Sequence, residues 1–367
     1  MFIAPRPLID EDPLFAVRVA IMPVIGLLIG IAFRSPLAMI FPTLMFSLLA
    51  GNRKAFDARR VFAAPILFSG VLWLMSGVVL LFSGIPALLL LVIGGIYFLA
   101  FYLIQRTGNA FGLLIIVAVA LMSIMGLGSY PAMAYLRSEI SKAALCSAVV
   151  IPLLYVLLPP RTTEINVDKY EPAFPSGWGI RAANRTVVML GYSLFLYTIL
   201  DFSNMMLAVA GMFVLVQSTR RSIWAEAGQR SFSVTLGGVL ALTILALLNW
   251  VGHLAVLLCL VFLATLWLGH KMLRGRLPSM AYQDAASVMI SLVGSALATS
   301  EPGFAFVQRA GLTVAGTLLA ALLVSLLDAT FLLGTPPETR RQRLHRLLQP
   351  SLLLRRAKHP LDSLAAP

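Results

Sequence analysis

Apolar stretches of about 15 to 24 residues follow one another along almost the whole chain, separated by short loops and broken by few charges. A soluble domain cannot bury that many uninterrupted apolar segments, because it must also cover its surface with polar groups. Of the 367 residues, 59% are hydrophobic and only 12% charged, against roughly 25% charged in an ordinary globular domain. The excess apolar surface calls for lipid, and the expectation is an all-α integral membrane protein.

Twelve segments are read from the apolar runs and their Pro, Gly and charged breaks. Six lie in the first half, over 14–33, 36–50, 62–82, 86–104, 109–127 and 140–158. Six more lie over 184–201, 203–217, 232–249, 253–270, 282–299 and 309–333. An offset of 167 residues places Arg18 on Arg185, Arg53 and Lys54 on Arg220 and Arg221, and Lys142 on Arg309, while Arg60-Val-Phe meets Arg230-Ser-Phe after a three-residue insertion. Charged landmarks in the same order beside the same helices indicate a duplication. The domain plan is therefore an N-terminus over 1–13, a first six-helix repeat over 14–158, a linker over 159–183, a second repeat over 184–333 and a basic tail over 334–367.

An even number of helices per repeat makes the repeats parallel. With a cytoplasmic N-terminus, only Arg34, Arg137, Lys142 and Arg309 of the 28 Lys and Arg residues fall on the outer side, as the positive-inside rule requires. The tail, with Arg340, Arg341, Arg343, Arg346, Arg355, Arg356 and Lys358, serves as a topology anchor and can hold anionic lipid headgroups. The N-terminal MFIAPRPLIDEDP carries acids and lacks a cleavable apolar core, so the first spanning helix is expected to act as its own insertion signal.

The net charge of +13 comes with no basic face interleaved with aromatics on a soluble element, which argues against nucleic acid. No GxxxxGK[ST] occurs, which leaves a gradient or a partner as the energy source for any transport. His253, His270, His345 and His359 have no ligand-like spacing, and no nucleophile–base pair is readable, so no metal, no cofactor and no enzymatic activity are expected. Cys146 and Cys259 both sit in apolar runs and read as packed or lipid-facing thiols.

The second segment of each half is the informative one. Pro36 to Ala50 and Ser203 to Gln217 are each 15 residues, about 22 Å of helix against a hydrocarbon core of about 30 Å, with Pro42 and Gly211 as interruptions. Paired short segments in corresponding positions of a duplicated transporter point to its substrate site. Ser35 reads as the N-cap and Pro36 as N1 of one short helix, with Asp201, Ser203 and Asn204 as capping residues of the other. Their N-termini would face outward and favour an anion. Arg34 and Asp201 at equivalent turns can form a gate or proton-linked pair; the plainer alternative is that both only end tight hairpins at the headgroups. Candidate substrate-binding residues are Arg34, Ser35, Pro36, Asp201, Ser203 and Asn204, and candidate proton carriers are Asp201 and Asp284. Asp328 is a further lone acid, and capping or local pairing is the plainer fate of both Asp284 and Asp328.

The run Arg230-Ser-Phe-Ser-Val-Thr-Leu-Gly-Gly-Val-Leu-Ala resembles a segment of the fusaric acid resistance and aromatic acid exporter superfamily, and the duplicated six-helix plan over 14–333 is similar to it. Thr235, Gly237 and Gly238 carry that resemblance and suit close helix packing. What it implies is proton-driven export of aromatic carboxylic acids or related toxic organic anions across a bacterial inner membrane, beside a periplasmic membrane-fusion adaptor. Many members carry a large cytoplasmic domain between the halves, where this chain has only the 159–183 linker, so it looks like a compact branch. Candidate partners are thus a small organic anion, membrane lipid, an adaptor and further copies of the chain. The alternatives are an anion channel on the same scaffold and a non-transporting scaffold of an envelope complex.

Overall fold

The structure is a computed structural model and describes residues 12–35, 37, 39–52, 55–162, 174, 177–199, 205–298 and 302–331. Among them are twelve α-helices: α1 (Phe15–Ala32), α2 (Ile40–Gly51), α3 (Ala58–Phe82), α4 (Pro86–Thr107), α5 (Phe111–Gly128), α6 (Tyr130–Leu157), α7 (Trp178–Ile199), α8 (Met205–Leu215), α9 (Arg220–Val251), α10 (Leu254–Arg274), α11 (Ser279–Ala298) and α12 (Pro302–Phe331). The chain divides into two compact units, Met1–Ser325 and Leu326–Pro367; of the second, residues 326–331 are described and are helical.

Eight helices, α1, α3, α4, α5, α6, α9, α10 and α12, are long and apolar enough to cross a membrane, which is compatible with a multi-pass membrane protein. Their outer faces carry large apolar side chains left open, such as Val156 at 78% and Trp250 at 86% exposure, a surface that only lipid makes cheap. The four remaining helices fall short for two reasons. α2 and α8 have 12 and 11 residues, about 17 Å of rise each. α7 and α11 are long enough but polar, with Arg181, Asn184, Arg185 and Ser193 on one and Gln283, Asp284, Ser287 and Ser291 on the other.

Several helices begin well before the apolar runs that announced them. α6 starts at Tyr130 and not near 140, α7 at Trp178 and not near 184, α9 at Arg220 and not near 232. The physical reason is that a charge ends an apolar run without ending a helix: α9 opens with Thr219 and Ser222 capping each other, then carries Arg220, Arg221, Glu226 and Arg230 through its first three turns. α2 is corrected in the other direction. It begins at Ile40 with Met39 as N-cap and no side-chain cap, so Ser35 does not cap it. Pro42 stands in its first turn, where a missing N–H is harmless, and starts the helix where an interruption was expected. Gly211 likewise leaves α8 continuous; its Cα faces the Tyr192 ring of α7, which a Cβ would meet at 3.3 Å.

Within the first unit α1 packs on α2 and α10, α3 on α5 and α6, α4 on α5 and α7, α7 on α8, α9 on α11, and α10 on α11; α2 also reaches α11 and α8 reaches α5. One core joins α1, α2, α10 and α11 through Met22, Phe41, Phe46, Val261, Met289 and Val293, all but sealed from the surface. Two glycines make the close approaches possible. A Cβ on Gly26 of α1 would lie 2.5 Å from the Pro42 Cα of α2, and one on Gly237 of α9 would strike the Ala285 carbonyl of α11. Gly26→Ala is therefore expected to force the α1–α2 hairpin apart and to destabilise the purified protein by about 1–3 kcal/mol, read as a lowered thermal unfolding midpoint. The same change at Gly70, where a Cβ meets nothing, is the control.

Candidate functional site

Two polar clusters stand out, one at the α1–α2 turn and the other where α8 gives way to α9. At the turn, α1 ends in a Schellman motif: Ser35 N–H donates to the Gly30 carbonyl at 3.1 Å and Arg34 N–H to the Ile31 carbonyl at 2.9 Å. Arg34 takes the left-handed position of that motif, φ 49°, which glycine fills after α4 at Gly108. A side-chain-bearing residue there costs about 1–2 kcal/mol, offset in part by its charge beside the carbonyl end of α1. Arg34 thus ends α1 and does not open α2, and its side chain is exposed.

Ser35 Oγ accepts from the Leu37 N–H at 3.2 Å and donates to Glu139 Oε2. Glu139 is buried, 2% exposed, and its other oxygen accepts from Lys142 Nζ at 2.8 Å, while Lys142 itself stays half open. Two residues before Glu139, Arg137 leans the other way, donating to Ser76 Oγ at 2.6 Å and lying 3.6 Å over the Trp73 ring of α3. α6 therefore holds the hairpin turn through a buried carboxylate. Reading the sixth helix from 140 left Glu139 in a loop; its i,i+3 spacing to Lys142 was the available signal.

In the second cluster the carbonyls that close α8 are capped by side chains. Arg185 donates to the Gln217 carbonyl at 2.8 Å and to Arg181 O at 3.0 Å, Arg181 to Ser218 O at 3.5 Å, and Gln105 of α4 to Val216 O at 3.1 Å. The Gln217 amide then donates to Glu226 Oε2 at 3.3 Å. Arg230 reaches Glu226 Oε1 at 3.0 Å and Asp284 Oδ2 at 3.3 Å, and its guanidinium lies 3.9 Å over the Phe213 ring of α8. All three ionic side chains are mostly covered, at 12%, 18% and 25% exposure for Arg230, Glu226 and Asp284. Two carboxylates share one guanidinium across α9 and α11, an arrangement whose charge is balanced when one of the acids holds a proton.

Of the residues singled out from the sequence, Ser35 and Lys142 come together through Glu139, and Asp284 joins Arg230 in the second cluster. Pro36, Asp201, Ser203 and Asn204 lie outside the described residues, as does the side chain of Arg309. Glu139 and Glu226 were not anticipated, and Arg230 was noticed only as part of a motif. Cys146 and Cys259 are both unbridged. Among the described residues no three His, Cys, Asp or Glu side chains gather as a metal ion would need. No protein-family model, no curated protein and no solved structure matches the chain.

Proposed function

We propose that the chain is a bacterial inner-membrane exporter of small organic anions, foremost aromatic carboxylates, driven by the proton gradient. Its twelve helices would all belong to the membrane layer, as two parallel six-helix repeats with both termini cytoplasmic. The observation that carries this reading is the packing scheme. Advancing α1–α5 and α7–α11 by six, and counting on from α12 to α1, exchanges α1–α2 with α7–α8, α3–α5 with α9–α11, α4–α5 with α10–α11, α1–α10 with α7–α4, and α2–α11 with α8–α5. Each short helix then lies against the other half, where paired short segments of a repeated transporter form the substrate path. The buried arginines support the same duplication: Arg18 and Arg185, 167 positions apart, are 1% and 0% exposed.

With the N-terminus inside, Ser35, Glu139 and Lys142 face the outer half of the path and Glu226, Arg230 and Asp284 the inner half. A carboxylate on each side of the short helices is what alternating proton uptake and release needs. The resemblance of residues 230–241 to aromatic acid exporters supports the substrate class and the adaptor partner.

Labelled 4-hydroxybenzoate is expected to accumulate in inverted membrane vesicles containing the protein, and a protonophore is expected to abolish that accumulation. Flux that follows only the membrane potential would replace the exporter with a channel, and absence of flux with or without an adaptor would overturn transport altogether.

A further inference from the structure

Gln217 stands where the short helix α8 meets the acid pair, and its backbone and side chain serve different neighbours. α8 ends at Leu215, but the turn runs on: Val216 N–H donates to the Met212 carbonyl at 3.1 Å and Gln217 N–H to the Val214 carbonyl at 3.2 Å. The Gln217 carbonyl accepts from Arg185 of α7 at 2.8 Å, and the carbonyls of Val216 and Ser218 accept from Gln105 of α4 and Arg181 of α7. The backbone here is thus fixed to α4 and α7. The side chain goes to α9, where its amide donates to Glu226 Oε2 at 3.3 Å. One turn earlier Phe213 meets the same cluster, with the Arg230 guanidinium 3.9 Å over its ring.

Glu226 gives its two oxygens to different partners. Oε1 takes Arg230 at 3.0 Å, and Oε2 takes the Gln217 amide. The other charge beside it is Asp284 of α11, 3.3 Å from the same guanidinium. α8 carries no charged residue, and α10 carries Lys271, which lies over its own Trp267 ring at 5.6 Å, with His270 and Arg274 both exposed. While Glu226 is ionised, Oε2 accepts and the Gln217 NH₂ group donates. A proton bound at Oε2 turns that oxygen into a donor, which an NH₂ group cannot accept. A half-turn of the amide then presents the Gln217 carbonyl oxygen to the new O–H. Glutamine can follow either charge state because it holds a donor and an acceptor at one place.

The first half lacks this arrangement. The 167-residue offset sets Ala50 at the place of Gln217. α2 closes on its own residues, with the Asn52 amide donating to the Leu48 carbonyl at 2.9 Å, and the sealed Ala50 has no polar group to extend.

We infer that Gln217 is the coupling residue of the inner cluster: its amide registers whether Glu226 holds a proton and passes that state to the end of α8. It is a positioning residue, acting through α8. The inference rests on the export reading for its biological sense, but the link from Glu226 to α8 is measurable without transport.

The test is ¹⁹F NMR of the full-length protein in detergent micelles, with Cys146 and Cys259 changed to Ser and a trifluoromethyl label on Val216→Cys, a half-buried position. The label's shift is expected to titrate once between pH 4 and 9. Glu226→Gln should abolish that titration, and so should Gln217→Met, which keeps the side chain's size without its hydrogen bonds. A merely structural glutamine would leave the label titrating in Gln217→Met. If Gln217→Met fails to keep the wild-type unfolding midpoint, Gln217→Lys serves instead: a positive charge beside Glu226 should lower the titration midpoint by about one unit or more. A label that does not titrate, titration that survives in folded Gln217→Met, or an unmoved midpoint in Gln217→Lys overturns the assignment. Vesicle uptake of 4-hydroxybenzoate separates the two proposals. Proton-coupled uptake that Gln217→Met leaves intact removes the coupling role and keeps the exporter, whereas the expected label titrations without any proton-coupled uptake remove the exporter and keep the link.

Discussion

Arg230→Ala is expected to destabilise the protein by about 3–5 kcal/mol and to abolish proton-coupled uptake, because it strips the shared guanidinium from a mostly buried pair of carboxylates. Glu226 at 3.0 Å and Asp284 at 3.3 Å would then face each other without a counter-charge, and at least one would have to take up a proton permanently. The loss of the cation over the Phe213 ring of α8 adds to this. Asp284→Asn separates stability from coupling. It keeps the Glu226–Arg230 pair and the size of the side chain, so the unfolding midpoint should move by no more than about 1 kcal/mol equivalent, as for an incompletely buried pair. Uptake of 4-hydroxybenzoate into inverted vesicles should nevertheless fall at least tenfold and lose its sensitivity to a protonophore. Wild-type protonophore sensitivity in Asp284→Asn would remove this acid from the proton path and leave Glu226 and Glu139 as the next residues to exchange.

The second large effect is expected at Arg18, where the charge is sealed. Arg18 is 1% exposed and Asp12 fully covered, and the two are ion-paired; Arg18 also donates to the Leu158 carbonyl at 2.7 Å and lies 4.3 Å over the Tyr155 ring. One side chain thus joins the start of α1 to the end of α6. Arg18→Ala should cost about 3–5 kcal/mol, and Arg18→Lys should restore only part of it, because a single ammonium cannot make the forked contacts and stack as well. Arg34→Ala, an exposed cation, should stay within about 0.5 kcal/mol.

Asp12 makes the pair sensitive to pH. Burial pushes its carboxyl above the ordinary aspartate value of 3.8, and Arg18 pulls back only part of the way. The folded protein therefore holds that proton more firmly than the unfolded chain does. Stability contributed by this group rises as pH falls from the raised folded value toward 3.8, and levels off below it. Asp12→Asn should erase that slope while costing less than Arg18→Ala. A thermal unfolding series from pH 7 to 4 on the two proteins checks both points, and an unchanged slope in Asp12→Asn would refute the assignment.

What could be read from the residues and what could not divide along one physical line. Apolar runs report where a chain needs lipid, so the all-helical class, the spanning character of eight helices and the shortness of α2 and α8 follow from composition along the chain. Charges inside helices do not register in such runs. The starts of α6 and α9 were misplaced by ten residues or more because Arg137, Glu139 and Lys142, and Arg220 to Arg230, break the hydropathy while the backbone hydrogen bonding continues. Glu139 and Glu226 lie outside the apolar runs for the same reason, so hydropathy does not place them on helices. Asp284 was legible as a lone acid, but its role depends on Arg230, 54 positions earlier, and on the α9–α11 packing that a glycine at 237 permits.

The sequence by itself determined that this chain is helical and apolar enough over most of its length to need lipid. Tertiary structure alone decided which groups meet: that Glu139 holds Ser35, that two acids share Arg230, and that Arg60 borders a cavity whereas Arg230 lies over the Phe213 ring. Local sequence sets hydrogen bonding and hydropathy within one helix. Ion pairs and cavities are set by which helices pack face to face, a property of contacts between residues far apart in the chain.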